Sequence, residues 1–408
     1  MSDGGAARRD ASPARWIGRA AIGLAALTGA YFAATHALAN VLKDVQPDQA
    51  FALAPWDGQV AARYARTLIP TDLDAAQTTR ADAVARTALR REVTALDALA
   101  TLGLDAQIRG QDAVARRYLA LAQRLSRRDV QVEFWAIEDA VGRSDVAQAV
   151  RHYDIALRTS PESRQLLFPV LAEAIADPAI ASAMTRLLAT RPYWTPDFIF
   201  YLAKDAPDPV SAAAFFDRLY AANVPIGNAP RSVLISSLIA RGEVERAWSV
   251  YAARQSGTTR TQSRDPRFLN DQDSRSAFDW QTFGNGGTST AIERDTDGNV
   301  LTFSVPPGGG GLLARQLLLL TPGSYALRSR TSGIALPATV RPMWTLTCLD
   351  GRAIGQVPLA NSADANGMTT GRLTVGTDCP AQYLSLMARP SDIAVQGSIL
   401  EIDVRPLR

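Results

Sequence analysis

The apolar and polar positions of this chain fall into three patterns, and the first is an uninterrupted apolar run near the N-terminus. Residues 20–42 contain no charged side chain, whereas residues 1–19 contain four arginines and two aspartates. A helix over those 23 residues would be about 34 Å long, enough to cross a hydrocarbon core of about 30 Å. The basic flank predicts a cytoplasmic N-terminus. We therefore expect a single-pass protein of the bacterial inner membrane with its bulk in the periplasm.

The same run also fits a signal peptide that is removed after export. Ala37-Leu38-Ala39 matches the small-residue pattern of a cleavage site. A retained anchor and a removed signal both deliver the rest of the chain to the periplasm. A buried helix of a soluble protein is the third interpretation, and it leaves the arginine flank unexplained.

The second pattern, over residues 50–254, has apolar residues at spacings of three and four, which predicts a series of α-helices. An offset of 34 residues aligns Ala115, Leu119 and Ala122 with Ala149, Tyr153 and Ala156. Small and large residues at this period resemble the tetratricopeptide repeat family. The resemblance implies an α-solenoid that binds a protein partner.

Arginines are dense in one part of this helical region. The cluster comprises Arg116, Arg117, Arg124, Arg127 and Arg128. One interpretation is a solvated helix face, since Lys43 and Lys204 are the only lysines and arginine is the usual cation of this chain. The other is a partner-binding groove for an acidic peptide or an acidic glycan.

The third pattern begins at residue 277, after a polar linker over 255–276, and alternates with a period of two. It is seen in Leu301, Phe303 and Val305, in Trp344, Leu346 and Cys348, in Leu384 and Leu386, and in Leu400, Ile402 and Val404. Such alternation, bounded by turn residues, predicts about eight or nine half-buried strands. A two-sheet sandwich of jelly-roll type over 277–408 accommodates them. The whole chain is therefore expected to be multidomain, α plus all-β.

Three segments of this region resemble carbohydrate-binding jelly-roll modules. They are Phe278-Asp279-Trp280, the run from Leu320 to Tyr325, and Trp344 followed by Cys348 and Cys379. The resemblance implies that Asp279, Trp280, Gln281 and Tyr325 bind ligand, with rings stacking on sugar C–H faces and polar groups holding hydroxyls. A structural role inside the sandwich is the alternative for these residues.

Composition limits the chemistry that the chain can perform. Cys348 and Cys379 are the only cysteines, and in an oxidising compartment they are expected to form a disulfide, with two buried thiols as the alternative. The two histidines, His36 and His152, lie in different regions, so we expect no metal site and no cofactor. A net charge of only +3 gives no reason to expect a nucleic-acid partner.

The predicted function is that of a non-enzymatic, membrane-anchored periplasmic scaffold. Its repeats would contact a protein, and its sandwich would bind a polysaccharide during envelope or exopolysaccharide synthesis or export. A polysaccharide-processing enzyme is the alternative, with two of Asp279, Glu293, Asp295 and Glu401 as paired carboxylates. An assembly factor for another envelope complex is a third hypothesis.

Overall fold

The computed structural model describes residues 13–69, 75–255, 258–270, 275–295 and 298–407. Contacts within the chain divide it into two compact units, residues 1–164 and 165–408. Most of the predicted basic tail, residues 1–12, lies outside the described part. The domain limits expected from the sequence remain predictions.

The described residues of the first unit form eight α-helices. They are α1 (Pro13–Leu42), α2 (Pro47–Leu53), α3 (Gly58–Thr67), α4 (Ala75–Arg91), α5 (Leu96–Ile108), α6 (Asp112–Leu125), α7 (Val130–Gly142) and α8 (Val146–Thr159). Among the described residues, α1 is the one helix long and apolar enough to cross a membrane, which fits either an anchor or a signal sequence.

The last turns of α1 belong to the core of this unit. Ala39 is fully buried and packs with Ala50, Ala54 and Val60 of the following segment. One turn earlier, the Nδ1 atom of His36 lies 2.9 Å from the Asp57 carboxylate. By contrast, the apolar side chains from Trp16 to Ala34 in this helix are exposed.

The second half of this unit repeats itself after 34 residues. The bounds of α7 and α8 each lie 34 positions after those of α5 and α6. The turn inside each pair holds one residue at positive φ, Gly110 at 69° and Ser144 at 56°. Within the first pair, a Cβ added at Gly103 would lie 2.4 Å from the Leu119 side chain, so glycine permits the close approach of α5 and α6.

The second unit contains six helices and ten strands among its described residues. The helices are α9 (Arg164–Ala174), α10 (Pro178–Ala189), α11 (Thr195–Asp205), α12 (Pro209–Ala221), α13 (Asn228–Ala240) and α14 (Val244–Ala252). The strands are β1 (Gln281–Thr282), β2 (Ser289–Asp295), β3 (Gly298–Val305), β4 (Gly311–Leu318), β5 (Gly323–Ser332), β6 (Met343–Cys348), β7 (Ala353–Pro358), β8 (Met368–Val375), β9 (Gln382–Ala388) and β10 (Val395–Pro406).

These strands form two antiparallel sheets of five strands each. The first sheet has the order β1-β4-β9-β6-β7, and the second has the order β2-β3-β10-β5-β8. Side chains from both sheets make one apolar core, in which Trp344 and Leu386 of the first sheet meet Leu301 and Ile402 of the second. The predicted two-sheet sandwich is confirmed, and with it the α plus β class of the chain.

One predicted strand pattern is displaced by a residue. The alternation of Leu400, Ile402 and Val404 placed all three side chains in the core. A β-bulge between Ile399 and Glu401 shifts the pairing of β10 with β5. Ile399 is therefore fully buried while Leu400 is only half-buried, because the bulge adds one unpaired residue and changes the side-chain alternation.

Part of the predicted polar linker packs tightly against its neighbours. Phe268 is fully buried in the sandwich core. Arg264 is 7% exposed and lies against the rings of Trp248 and Tyr251 on α14. The same two rings contact Phe278 at centroid distances of 5.3 and 5.2 Å, so α14 and the sandwich share an aromatic contact.

Candidate functional site

The first sheet is almost free of charge. Arg315 is the single charged residue among the residues of its five strands. The strands of the second sheet carry many charges, including Glu293, Arg328 and Arg372. Charged side chains on a sheet commonly protect it from association with other chains. A sheet with a single cation therefore stands out as a candidate binding surface.

The strand register places polar side chains in one row across the first sheet. The row runs Gln281, Arg315, Ser385, Thr345 and Gln356, one residue from each strand. The neighbouring row, Ala314, Leu386, Trp344 and Val357, belongs to the apolar core. Because successive side chains point to opposite faces of a sheet, the polar row lies on the outer face.

Arg315 occupies a fixed place in this row. Its guanidinium lies 5.0 Å from the ring centroid of Phe283 and 4.7 Å from that of Tyr383. Its Nε atom donates a hydrogen bond to Oε1 of Gln281 at 3.2 Å. The two rings and the amide limit the orientations of the guanidinium. We call the polar row together with Phe283 and Tyr383 the outer face of the first sheet.

The outer face combines groups that suit a polyhydroxylated ligand. Gln281 and Gln356 supply amides, which can both donate and accept hydrogen bonds. Between them, Ser385 and Thr345 are 7% and 9% exposed, and the Thr345 hydroxyl donates to the Ser385 carbonyl at 3.4 Å. Gln356 is exposed, and the two aromatic rings are half-buried. Aromatic rings offer apolar surface to the C–H groups of such a ligand.

Gln281 is the predicted ligand residue that lies on this face. Asp279, two residues earlier, accepts hydrogen bonds from the Tyr251 hydroxyl at 2.8 Å and from the Ser276 amide and hydroxyl at 3.0 and 2.8 Å. Burial raises the pKa of Tyr251 above its usual value, and the nearby Asp279 charge raises it further. Tyr251 therefore stays a neutral donor, and the Asp279 carboxylate is engaged within the protein.

The two predicted aromatic ligand residues lie inside the sandwich. Trp280 is 1% exposed, contacts Phe268 and Trp344, and donates its indole N–H to the Asp265 carbonyl at 3.2 Å. Tyr325 is 2% exposed and donates its hydroxyl to the Thr321 carbonyl at 2.7 Å. Neither ring is open for stacking on a sugar, so both have the structural role that was the alternative.

Sequence reasoning missed the aromatic and cationic members of the outer face. One signal was present: Arg315 is the single charged residue between Val300 and Leu327. Tyr383 gave no such signal, since it is flanked by Gln382 and Leu384, which are both fully buried.

The expected disulfide is present between Cys348 and Cys379. The two Cα atoms are 5.5 Å apart, and the residues are separated by 31 positions. The bond joins the end of β6 to the segment that precedes β9, so it closes a loop beside the first sheet. A disulfide is typical of an oxidising compartment.

The carboxylates considered for catalysis belong to different parts of the second unit. Glu293 and Asp295 are exposed on β2, and Glu401 on β10 lies 3.8 Å from the Arg267 Nε atom. Asp279 precedes β1 and is engaged by Tyr251 and Ser276. The enzyme hypothesis remains a prediction.

The predicted partner-binding arginines lie on or just after α6. Arg116 pairs with Asp139 of α7 at 2.9 Å, and Arg117, Arg124 and Arg128 are exposed. A separate cavity of about 410 Å³ is lined by Arg66 of α3, Leu104 of α5, and Phe134 and Glu138 of α7, among others. A second cavity of the first unit, of about 300 Å³, is lined by Arg116 and Asp139, among others.

Neither histidine belongs to a metal-ligand cluster. Among the described residues, no group of three or more His, Cys, Asp or Glu side chains is placed to hold a metal ion. The Nδ1 atom of His152 lies 2.8 Å from the Glu133 carboxylate, and His36 pairs with Asp57.

No family model matches the chain, and no curated protein matches it. The solved structures to which it is similar include an arabinose-bound α-L-arabinofuranosidase, with 15% identity over 37% of this chain and 27% of that one and a TM-score of 0.28. The enzymatically active domain of a bacteriophage tailspike protein has 14% identity over 35% and 20%, with a TM-score of 0.23.

A third similar structure is a family 11 carbohydrate-binding module from Clostridium thermocellum in complex with a mixed-linked tetrasaccharide. It has 12% identity over 36% of this chain and 98% of the module, with a TM-score of 0.23. The chain thus spans about a quarter of the arabinofuranosidase and nearly all of the module.

Proposed function

We propose that this protein is a membrane-anchored periplasmic binding protein whose jelly-roll sandwich holds a polysaccharide on the outer face of its first sheet. The observation that supports this proposal is the polar row that crosses all five strands, with Phe283 and Tyr383 beside it. In this proposal the protein binds without catalysis and supports the synthesis or export of an envelope polysaccharide.

The geometry of the outer face supports an extended polymer as the ligand. The row of five polar side chains runs across the sheet, and adjacent strands lie about 4.8 Å apart. The row therefore extends for about 19 Å, the length of several sugar units. The polymer would meet the Gln281, Arg315 and Gln356 side chains at the two ends of this row.

Affinity electrophoresis of the full chain in mild detergent tests the glycan proposal. Gels would be cast with a neutral β-glucan, a galactomannan, alginate or polygalacturonate. We expect retardation in at least one gel, and we expect Tyr383→Ala to weaken that binding about tenfold or more, because an aromatic contact of about 1.4 kcal/mol is lost.

Tyr193→Ala is the matched control, because Tyr193 is 53% exposed and lies outside the sandwich. It is expected to leave mobility unchanged. Wild-type mobility that is the same in all four gels as in a gel without polymer would remove the glycan half of the proposal.

The anchor is proposed to be retained. Cleavage after Ala39 would divide a continuous helix at a fully buried residue. It would also remove His36 from Asp57 and Phe32 from Trp56, whose ring centroids are 5.1 Å apart. The core of the first unit would lose side chains that it now buries.

We therefore expect the protein, purified through a C-terminal tag, to keep its N-terminal helix. Intact mass would match a chain that includes α1, and the protein would stay in the membrane fraction after carbonate washing. A soluble periplasmic form whose N-terminal residue is Asn40 would contradict retention while leaving the glycan proposal standing.

The helices are proposed to be tetratricopeptide-like repeats that contact a protein partner. The offset of 34 residues between two successive helix pairs supports this assignment. The cavity bounded by α3, α5 and α7 supports partner binding, since it is open and lined by both apolar and charged side chains.

A further inference from the structure

We propose that the outer face selects glycans that carry carboxylate groups, such as uronic acid polymers, and that Arg315 is the residue that binds the carboxylate. This inference rests on the proposed glycan binding and names the chemical class of the ligand.

The terminal nitrogens of Arg315 are free to bind a ligand. Its Nε atom is hydrogen-bonded to Gln281, whereas no hydrogen bond from Nη1 or Nη2 to the described residues is present. No carboxylate among the described residues pairs with it either. Nη1 and Nη2 form the end of the guanidinium fork, which matches the two oxygens of a carboxylate.

Phe283 and Tyr383 hold the Arg315 guanidinium in place before a ligand binds. An arginine side chain usually loses considerable rotamer freedom when it binds. Here the two rings and the Gln281 amide already restrict the guanidinium, so less freedom remains to be lost. Lysine in the same place would keep the charge but could not present a planar fork.

The charges of the surrounding sheet favour an anion as well. The five strands of the first sheet contain no Asp or Glu, so no carboxylate on these strands repels an acidic polymer. On the second sheet, by contrast, Arg405 contacts Asp403 at 2.5 Å, and Glu401 lies near Arg267. Carboxylates thus lie among the arginines of that sheet.

A pair of polymers that differ only in the carboxylate tests the inference. The full chain in detergent would be titrated with polygalacturonate and with the galactan obtained by reducing its carboxyl groups. The salt concentration would be about 150 mM, where contacts beyond about 8 Å are screened. We expect wild type to bind the acidic polymer at least tenfold more tightly.

Three variants assign the preference to Arg315. Arg315→Gln is expected to remove the preference and leave binding of the neutral galactan within twofold. Arg315→Lys is expected to keep only part of the preference, because its ammonium is not a planar fork. Arg372→Gln, on an exposed position of the second sheet, removes the same charge and is expected to behave as wild type. Unfolding midpoints of all variants confirm that each is folded.

Different results would contradict the acidic preference, the role of Arg315 and the proposed function. Equal affinity of wild type for both polymers overturns the acidic preference and leaves glycan binding intact. An equal loss in Arg315→Gln and Arg372→Gln overturns the role of Arg315, because it would show an unspecific effect of net charge. Absence of binding to these two polymers and to every gel of the earlier panel overturns the proposed function itself.

Discussion

Arg264→Ala is expected to lower the free energy of unfolding of the second unit by about 3–5 kcal/mol, because two buried carbonyls lose charged donors and a large side chain leaves a cavity. The guanidinium donates to the Phe278 carbonyl from Nε and Nη2 at 3.0 and 2.9 Å, and Nη2 also donates to the Leu317 carbonyl. Alanine would leave both carbonyls without these donors. It would also leave a cavity among three aromatic rings.

The environment of Arg264 explains why the effect is large. Its charge centre lies 5.0 Å from the ring of Trp248, 5.7 Å from that of Tyr251 and 5.5 Å from that of Phe278. Burial lowers the pKa of Arg264 below its usual value. The site therefore depends on the carbonyls and the ring faces to stabilise a cation away from water.

Arg260→Ala is the matched control for Arg264→Ala. Arg260 also lies over the Trp248 ring, at 5.6 Å, but it pairs with the exposed Glu245 and is itself 40% exposed. Its replacement is expected to cost less than about 1 kcal/mol. Urea unfolding followed by tryptophan fluorescence would measure both variants, and an Arg264→Ala effect no larger than that of Arg260→Ala would contradict the assignment.

Loss of the disulfide is expected to have the second large effect. The double variant Cys348→Ser, Cys379→Ser should lower the free energy of unfolding by roughly 3–4 kcal/mol, the chain-entropy value for a loop of about thirty residues. The bond restricts the unfolded chain between the end of β6 and the segment before β9, which is why its removal favours unfolding.

Reduction of the wild-type protein provides the control. Dithiothreitol should shift the unfolding midpoint of wild type to that of the double variant and leave the double variant unchanged. A wild-type midpoint that does not respond to reductant would show that the disulfide is not formed in the purified protein. It would also remove the support that the bond gives to an oxidising compartment.

The parts of the fold that could be predicted from the sequence depend on local periodicity. The charge-free run up to Leu42 predicted α1. Apolar spacings of three and four predicted the helices that follow it. Alternation at Leu301, Phe303 and Val305 gave β3, with all three side chains in the core. Each pattern arises because side chains on one side of a helix or strand face the core and those on the other side face solvent.

The parts that could not be predicted depend on relations between strands. The row from Gln281 to Gln356 exists because five strands from separate parts of the chain share one register. Trp280 and Gln281 are adjacent in sequence and point to opposite faces, so a change of one position exchanges a core residue for a surface residue. The bulge at Leu400 shows the same sensitivity, since one additional residue reversed the expected direction of its side chain.

The burial of Ala39 has a mechanical consequence for an anchored protein. In the proposed anchored form, α1 packs directly on the segment that follows it, so a tilt or rotation of α1 would be transmitted to the first unit. That unit would keep a fixed height and orientation above the lipid surface. A partner in the same membrane would therefore always meet the same side of it.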